Sequence, residues 1–282
     1  DPAKKKKLII MISSIAGTVA AGAIAIMILV LVLRVNYGET YRAARELKAE
    51  VGRLYTNGDC DYVVSSVGSE YVSEQRYDEY VESCRSAVAG IDEGTEKLAA
   101  TAGVQRNKEI KAQFETYRAA LVEAFPDREE LNKKLDLYAA WHKYTVMAEG
   151  LSVDEATEEE VRAVANILAE SGDEVLKTYG EGWYEKTWAY VKATQDYYAA
   201  EYSDGNKEAL RLEMNKLRAE RQSYVSENKP DILEVVPLSF EGVANMYEEF
   251  TKMYKTISTT YEKNYERGSG DCTEFLGEVI CS

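Results

Sequence analysis

Residues 239–261 read SFEGVANMYEEFTKMYKTISTTY, and this stretch decides the fold class. Its apolar side chains recur at spacings of three and four residues, which places them on one face of an α-helix. Because this spacing persists over three heptads, we expect the helix to lie along neighbouring helices for most of its length. The apolar positions are Phe240, Val243, Met246, Phe250, Met253, Ile257 and Tyr261.

The same periodicity recurs through the chain from residue 41 onwards. The sequence holds four prolines, and no stretch shows the sustained alternation of apolar and polar residues that is typical of a half-buried strand. The first apolar stripe ends at residues 56–59, TNGD, a sequence typical of a helix end. Ser73 and the segment after Pro126 have residue types that begin helices. The first stripe comprises Tyr41, Ala44, Leu47, Val51 and Leu54.

Two local motifs give more specific predictions. Residues 152–155, SVDE, match the capping-box pattern and predict the start of a helix. Residues 179–183, YGEGW, contain two glycines that predict a break or kink before a long tyrosine-rich helix. Together with the apolar stripes, these motifs predict an all-α fold, a helical bundle made of two sub-bundles.

A long uncharged run precedes the predicted bundle. Residues 4–7 are four lysines, and Leu8–Leu33 contains no charged residue. As a helix this run is about 39 Å long, whereas the hydrocarbon core of a bilayer is about 30 Å thick. A cleaved signal peptide is the alternative, but its apolar region is normally about 7–15 residues long. We therefore expect a retained anchor in the plasma membrane, with the lysines in the cytoplasm and the remainder of the chain outside.

The sequence thus divides into four predicted segments. Residues 1–7 form a basic cytoplasmic flank, and residues 8–33 form a transmembrane helix in contact with lipid. Residues 34–150 form a stalk and a first helical sub-bundle, and residues 151–282 form a second sub-bundle with a disulfide-pinned tail. Small residues at every fourth position of the apolar run would let two such helices pack closely. They are Ser13, Gly17, Ala21 and Ala25.

Four cysteines support an oxidising location. They are Cys60, Cys84, Cys272 and Cys281, and sequence alone permits three pairings. We expect the sequence-local one, in which Cys60 pairs with Cys84 and Cys272 with Cys281. Zinc is the alternative, but neither pair has CxxC spacing, and the single histidine, His142, is distant from both pairs in the sequence.

The charge of the chain limits its partners. Of its 34 Lys and Arg and 49 Asp and Glu residues, five and one lie in residues 1–34, so the remainder carries a net charge of −19. Such a charge repels nucleic acid and anionic lipid headgroups. Nucleic acid is therefore not an expected partner. The charge favours either solubility or attraction to a cationic partner.

No residue pattern in the sequence indicates catalysis or a cofactor. Nucleophilic catalysis with a histidine base would have to use His142, which we interpret as a structural residue, half-buried or at the surface of its helix. The glycines of residues 179–183 match neither the phosphate-binding nor the dinucleotide-binding pattern. Acidic residues are numerous, but nothing singles out a catalytic pair or a calcium loop. We expect no enzyme activity, no bound metal and no cofactor.

Tyrosine is the one unusual enrichment, with 21 Tyr against five Phe and three Trp. In the helix after Gly172, Trp183, Tyr190 and Tyr197 share one face, which we consider as a candidate contact surface for glycans, peptides or other subunits. The alternative interpretation is that these tyrosines pack at helix crossings with their hydroxyl groups in water.

Two classes of function follow from these features. The first is a membrane-anchored surface protein with a structural, adhesive or assembly role, whose partner is a further copy of the chain or another surface protein. The second is a filament subunit, because a hydrophobic helix before a soluble domain is similar to the layout of type IV pilins. Mature pilins begin directly with the apolar run and carry a glutamate near its start, whereas Lys4–Lys7 occupy that place here. A ligand-binding ectodomain, or a subunit of a membrane complex, is a further alternative.

Overall fold

The computed structural model describes residues 37–200 and 206–268, and the backbone of residues 272–275 and 278–281, with side chains described up to residue 265. The elements are α1 (Tyr37–Tyr55), α2 (Asp61–Ser66), α3 (Glu74–Ala99), α4 (Ala102–Arg106), α5 (Lys108–Ala124), α6 (Arg128–Gly150), α7 (Glu158–Ala169), α8 (Glu174–Ala199), α9 (Lys207–Asn228), α10 (Ile232–Val235), α11 (Gly242–Gly268), β1 (Cys272–Phe275) and β2 (Glu278–Cys281).

The predicted all-α class is confirmed for the described residues before residue 269, which form helices joined by short connections. The apolar stripes are the reason, because they give each long helix one face to bury. In α11 the stripe of residues 239–261 packs into the core, where five of its apolar residues are at most 5% exposed. In α1, Ala44, Leu47, Val51 and Leu54 are likewise buried.

The end of the chain differs from the all-helical expectation. Strands β1 and β2 pair antiparallel, and the register makes Cys272 the partner of Cys281. The strand sequences, CTEF and EVIC, do not alternate strictly between apolar and polar residues, so periodicity does not identify them. The register suits the predicted Cys272–Cys281 bridge, but these side chains lie outside the described residues, so that bridge stays a prediction. The Cys60–Cys84 bridge is confirmed.

The long helices pack in two groups. In the first group α3 packs against α1, α1 against α11, and α11 against α5. In the second group α6 packs against α7, α7 against α8, and α8 against α9, while contacts between α3 and α6 join the groups. Helix α11 belongs to the predicted segment 151–282 yet packs within the first group. The last described helix of the chain therefore packs with the first helix group. The predicted division at residue 150, which assigns α11 to the second sub-bundle, does not describe this arrangement.

Two predicted helix starts agree with the observed caps. The Ser73 hydroxyl accepts a hydrogen bond from the Arg76 backbone N–H at 3.3 Å and caps α3. Helix α6 begins just after Pro126, where the Asp127 carboxylate accepts from the Glu130 backbone N–H at 2.9 Å. These caps satisfy backbone donors that have no partner within the first turn of a helix.

The predicted capping box at residues 152–155 is wrong, because α7 begins later. Thr157 is its N-cap: the Thr157 hydroxyl accepts from the Glu160 N–H at 3.2 Å, and the Glu160 carboxylate accepts from the Thr157 N–H at 2.8 Å. The sequence offers the same pattern twice within a few residues. The second copy forms the cap because the buried stripe begins directly after it, at Val161.

The predicted break at residues 179–183 is also wrong, since α8 runs without interruption through both glycines. A Cβ at Gly180 would lie 3.1 Å from the Ala165 carbonyl oxygen and 3.1 Å from the Leu168 Cβ of α7. A Cβ at Gly182 would overlap the Tyr224 hydroxyl of α9. The two glycines therefore let α7 and α9 approach α8 closely on two sides, and they do not end the helix.

Two glycine-to-alanine substitutions test this close packing. Gly180→Ala is expected to lower the free energy of unfolding by about 1–2 kcal/mol, because the added methyl group crowds α7. Gly52→Ala is the matched control: Gly52 is also inside a helix, but a Cβ there meets nothing within 4 Å. It should raise stability by about 0.5–1 kcal/mol through helix propensity. Urea denaturation of both variants measures the difference, and equal effects of the same sign would contradict close packing at Gly180.

No helix within the described residues is both long and apolar enough to cross a membrane. The predicted transmembrane run Leu8–Leu33 lies outside the described residues, as does its small-residue stripe of Ser13, Gly17, Ala21 and Ala25. Both stay predictions.

Candidate contact surface at the tip of the bundle

The predicted aromatic contact face of α8 needs correction. Trp183 is only 1% exposed and packs edge-on against Tyr144, with the ring centroids 5.5 Å apart, so it is a core residue. Tyr190 and Tyr197 are half-buried, and the Lys207 ammonium lies 5.3 Å from the centre of the Tyr197 ring. These three residues therefore do not form one open aromatic surface.

The structure exposes a different group of tyrosines. Tyr55 is 48% exposed, Tyr62 is 50% exposed and Tyr71 is 90% exposed. All three belong to residues 55–73, which run from the end of α1 through α2 to the N-cap of α3. We call these residues the tip segment. Exposed aromatic side chains of this size are common anchors of protein–protein contacts.

The tip segment lies at one end of the first helix group. Tyr41 near the start of α1 stacks on Tyr261, with centroids 4.7 Å apart, whereas Tyr55 at its end stacks on Tyr247 at 4.1 Å. Helix α1 therefore runs antiparallel to α11 and, with 19 residues, spans about 28 Å. The tip segment lies beyond the end of α1 that is opposite to Tyr37, the first described residue.

A disulfide bond fixes the first half of the tip segment. Cys60 bonds to Cys84, which ties the start of α2 to the middle of α3. The neighbouring Asp59 carboxylate accepts a hydrogen bond from the Ser83 hydroxyl at 2.7 Å. Gly58 makes the preceding turn with a φ of +68°, a conformation that residues with a Cβ rarely adopt. The connection between α1 and α3 is therefore held at several points.

The buried His142 of α6 fixes the second half of the tip segment. Its Nδ1 accepts the Gly68 backbone N–H at 3.2 Å, so its Nε2 carries the proton and donates to the Val72 carbonyl at 3.0 Å. The imidazole is fully buried and stacks on Tyr77, with centroids 4.1 Å apart. Tyr77 in turn donates its hydroxyl hydrogen to the Val63 carbonyl of α2 at 2.7 Å. His142 is thus structural, as expected, and more deeply buried than the sequence indicated.

The surroundings of His142 favour its neutral form. Burial lowers the pKa of His142 below its usual range. The carbonyl groups of Val72 and Ser73 and the carboxylates of Asp78 and Glu74 oppose this shift, but they do not cancel it. A neutral imidazole is required here, because a doubly protonated ring has no acceptor for the Gly68 N–H.

Sequence reasoning did not find the tip segment as a site. Its signals were present: Tyr55 directly precedes the helix-stop sequence at residues 56–59, and Tyr62 and Tyr71 lie between that sequence and Ser73. The loop that carries Tyr71 is held by His142, which follows Gly68 by 74 residues in the chain and meets it only in the folded protein. Periodicity within one segment contains no information on such a contact.

Within the described part of the chain, no three His, Cys, Asp or Glu side chains converge in a geometry that could hold a metal ion. Comparisons with protein-family models, with curated proteins and with solved structures find no match to this chain.

Proposed function

We propose that this protein is a membrane-anchored surface protein with an adhesive or assembly role, whose contacts with a partner are made at the tip segment. The uncharged run Leu8–Leu33 directly precedes the segment leading into α1, and the four lysines before it favour a cytoplasmic N-terminus. The net charge of −19 beyond residue 34 and the Cys60–Cys84 disulfide suit an extracytoplasmic location.

The observation that carries the proposal is the contrast between exposure and order at the tip. Tyr71 is 90% exposed, although the loop that holds it is pinned on both sides by His142. The backbone of a held loop loses little conformational freedom when an exposed side chain on it binds, which lowers the cost of binding. An anchor before α1 would also place this loop at the end of the bundle away from the membrane.

Lysine labelling tests the location. On intact cells that carry the full chain, a membrane-impermeant amine reagent should modify the exposed Lys108 and Lys111 of α5. It should not modify Lys4–Lys7 until the cells are permeabilised, because these residues lie on the cytoplasmic side. Mass spectrometry of the peptides gives both extents of labelling. Labelling of Lys108 and Lys111 only after permeabilisation would contradict the proposed location.

A further inference from the structure

Basic side chains of the chain itself cover some of its partly exposed tyrosines. At four described positions a Lys or Arg side chain lies over the ring, a favourable arrangement because the ring face is electronegative. The pairs are Arg76 over Tyr80 at 5.0 Å, Arg162 over Tyr184 at 4.5 Å, Lys207 over Tyr197 at 5.3 Å and Lys48 over Tyr254 at 4.6 Å.

No described cation lies over the ring of Tyr62 or Tyr71, and the same holds for the exposed Tyr55 and Tyr198. Tyr62 stacks on Tyr80, with centroids 5.3 Å apart, and is still half exposed. Tyr71 is 90% exposed. Among the residues that the structure describes, these rings therefore lack the cationic cover that Tyr80 has.

Acidic residues accompany both tyrosines. Asp61 directly precedes Tyr62, and Glu70 directly precedes Tyr71. Both acidic residues are exposed, and within the described part of the chain neither forms a salt bridge. Each of the two tyrosines thus follows, in the sequence, an exposed carboxylate that forms no salt bridge within the described residues.

The basic side chains around the tip are already paired. Arg53 bonds to Asp59 at 3.3 Å, Arg76 to Glu79 at 2.6 Å and Lys143 to Glu74 at 2.6 Å. The charge left at the tip segment is therefore negative, and a complementary surface is positive.

We propose that the tip segment binds a Lys- or Arg-rich segment of a partner protein, with one cation over the Tyr71 ring and another over Tyr62. The exposed carboxylates of Asp61 and Glu70 attract the basic segment to the same surface. The anchored location sets which partner is encountered, so the proposal rests on the proposed function, but the binding itself is a property of the tip. A membrane surface is a poorer occupant, because the chain carries a net charge of −15 and anionic headgroups repel it.

Peptide binding to ring variants tests this proposal. The full chain, held in a zwitterionic phosphatidylcholine nanodisc, is titrated into a fluorescein-labelled peptide of alternating Lys and Gly, and anisotropy gives the Kd. The double substitution Tyr62→Leu with Tyr71→Leu keeps apolar area but removes both ring faces, and should weaken binding about tenfold. Tyr62→Phe with Tyr71→Phe keeps the rings and should stay within about threefold of the parent protein.

Tyr198→Leu is the matched control, because Tyr198 is 68% exposed but lies on α8. It should leave the Kd unchanged, whereas an equal loss there would show that the peptide binds exposed tyrosines without preference for the tip segment, and would overturn the proposal. Unchanged binding by the double Leu variant would overturn it too, as would tyrosine-dependent capture of phosphatidylserine vesicles with no peptide binding. Purified protein gives these results whatever the location in cells, so failure of the labelling experiment and failure of this one are distinguishable.

Discussion

Replacing Cys60 and Cys84 together by alanine is expected to lower the free energy of unfolding by about 3 kcal/mol. The bridge closes a loop between residues separated by 24 positions, and a cross-link of this length restricts the unfolded chain by roughly that amount. Both cysteines are at most 2% exposed, so alanine is preferred to serine, which would bury an unpaired hydroxyl group. The substitution also leaves the predicted Cys272–Cys281 bridge untouched, which a reducing agent would not.

Thermal unfolding followed by circular dichroism measures this effect. For a chain of this size, the expected loss lowers the Tm by roughly 6–12 °C. Gly52→Ala serves as a control for substitution at a helical site without close contacts. If the alanine pair and the parent protein unfold at the same temperature, the bridge does not stabilise the tip segment.

Replacing His142 by phenylalanine should lower the free energy of unfolding by about 2–3 kcal/mol. Phenylalanine keeps a ring to stack on Tyr77, but it provides neither an acceptor for the Gly68 N–H nor a donor for the Val72 carbonyl. Leaving such backbone groups without partners costs about 1–3 kcal/mol each, and water offsets part of this at the half-buried loop. Urea denaturation near neutral pH measures the loss.

His142→Phe should also remove a pH dependence of the free energy of unfolding. Because the pKa of His142 is lowered in the folded protein, the unfolded chain binds a proton below about pH 6.5 that the folded chain does not bind. The stability contributed by neutral His142 is therefore present above that pH and is lost as the pH falls towards the lowered value. The slope is at most about 1.4 kcal/mol for each pH unit.

The matched control for this pH dependence is Lys143→Gln, at the next position of α6. It removes only the exposed salt bridge to Glu74, so it should cost less than about 1 kcal/mol and keep the pH dependence. The urea unfolding midpoints of the parent protein and both variants are compared between about pH 7.5 and 5.5. Most carboxylates titrate below this range, so the change in midpoint reports on His142. A slope that persists unchanged in His142→Phe would show that another group is responsible.

The helices could be predicted from sequence because their signal is local. Leu47 and Val51 in α1, and Phe250 and Ile257 in α11, are buried where their spacing places them. Such spacing indicates which face of a helix is buried, but it does not identify the neighbour. The return of α11 to α1 and α5 is a contact between distant parts of the chain, and periodicity within α11 does not identify it.

Two predictions at residues 179–183 are wrong, the helix break and the contact role of Trp183. Both depend, like the position of α11, on contacts between distant parts of the chain. Gly180 and Gly182 look like helix breakers in isolation, because glycine lowers helix propensity. In the fold they are favoured since α7 and α9 occupy the space that a side chain would need. Trp183 looks like a contact residue on an aromatic helix, yet it completes the core beside Tyr144. In each case a tertiary contact overrides the local preference.

The tip segment could be predicted only in part. The Cys60–Cys84 disulfide was expected as part of one of the three pairings that the sequence permits, and the Ser73 cap followed from capping preferences. The hydrogen bonds of His142 with Gly68 and Val72 could not be predicted, because a lone histidine on an amphipathic helix does not indicate its partners. The proposed contact role of Tyr71 depends on that hold.

Hydrogen exchange at the Gly68 amide, in the full chain at neutral pH, tests most directly whether the tip segment is held in place. If His142 holds the loop, this amide should exchange far more slowly than an open loop amide, and at least tenfold faster in His142→Phe, after correction for intrinsic rates. Exchange of Gly68 at the rate of an unprotected loop in the parent protein would contradict a held tip, and with it the preorganised surface around Tyr71.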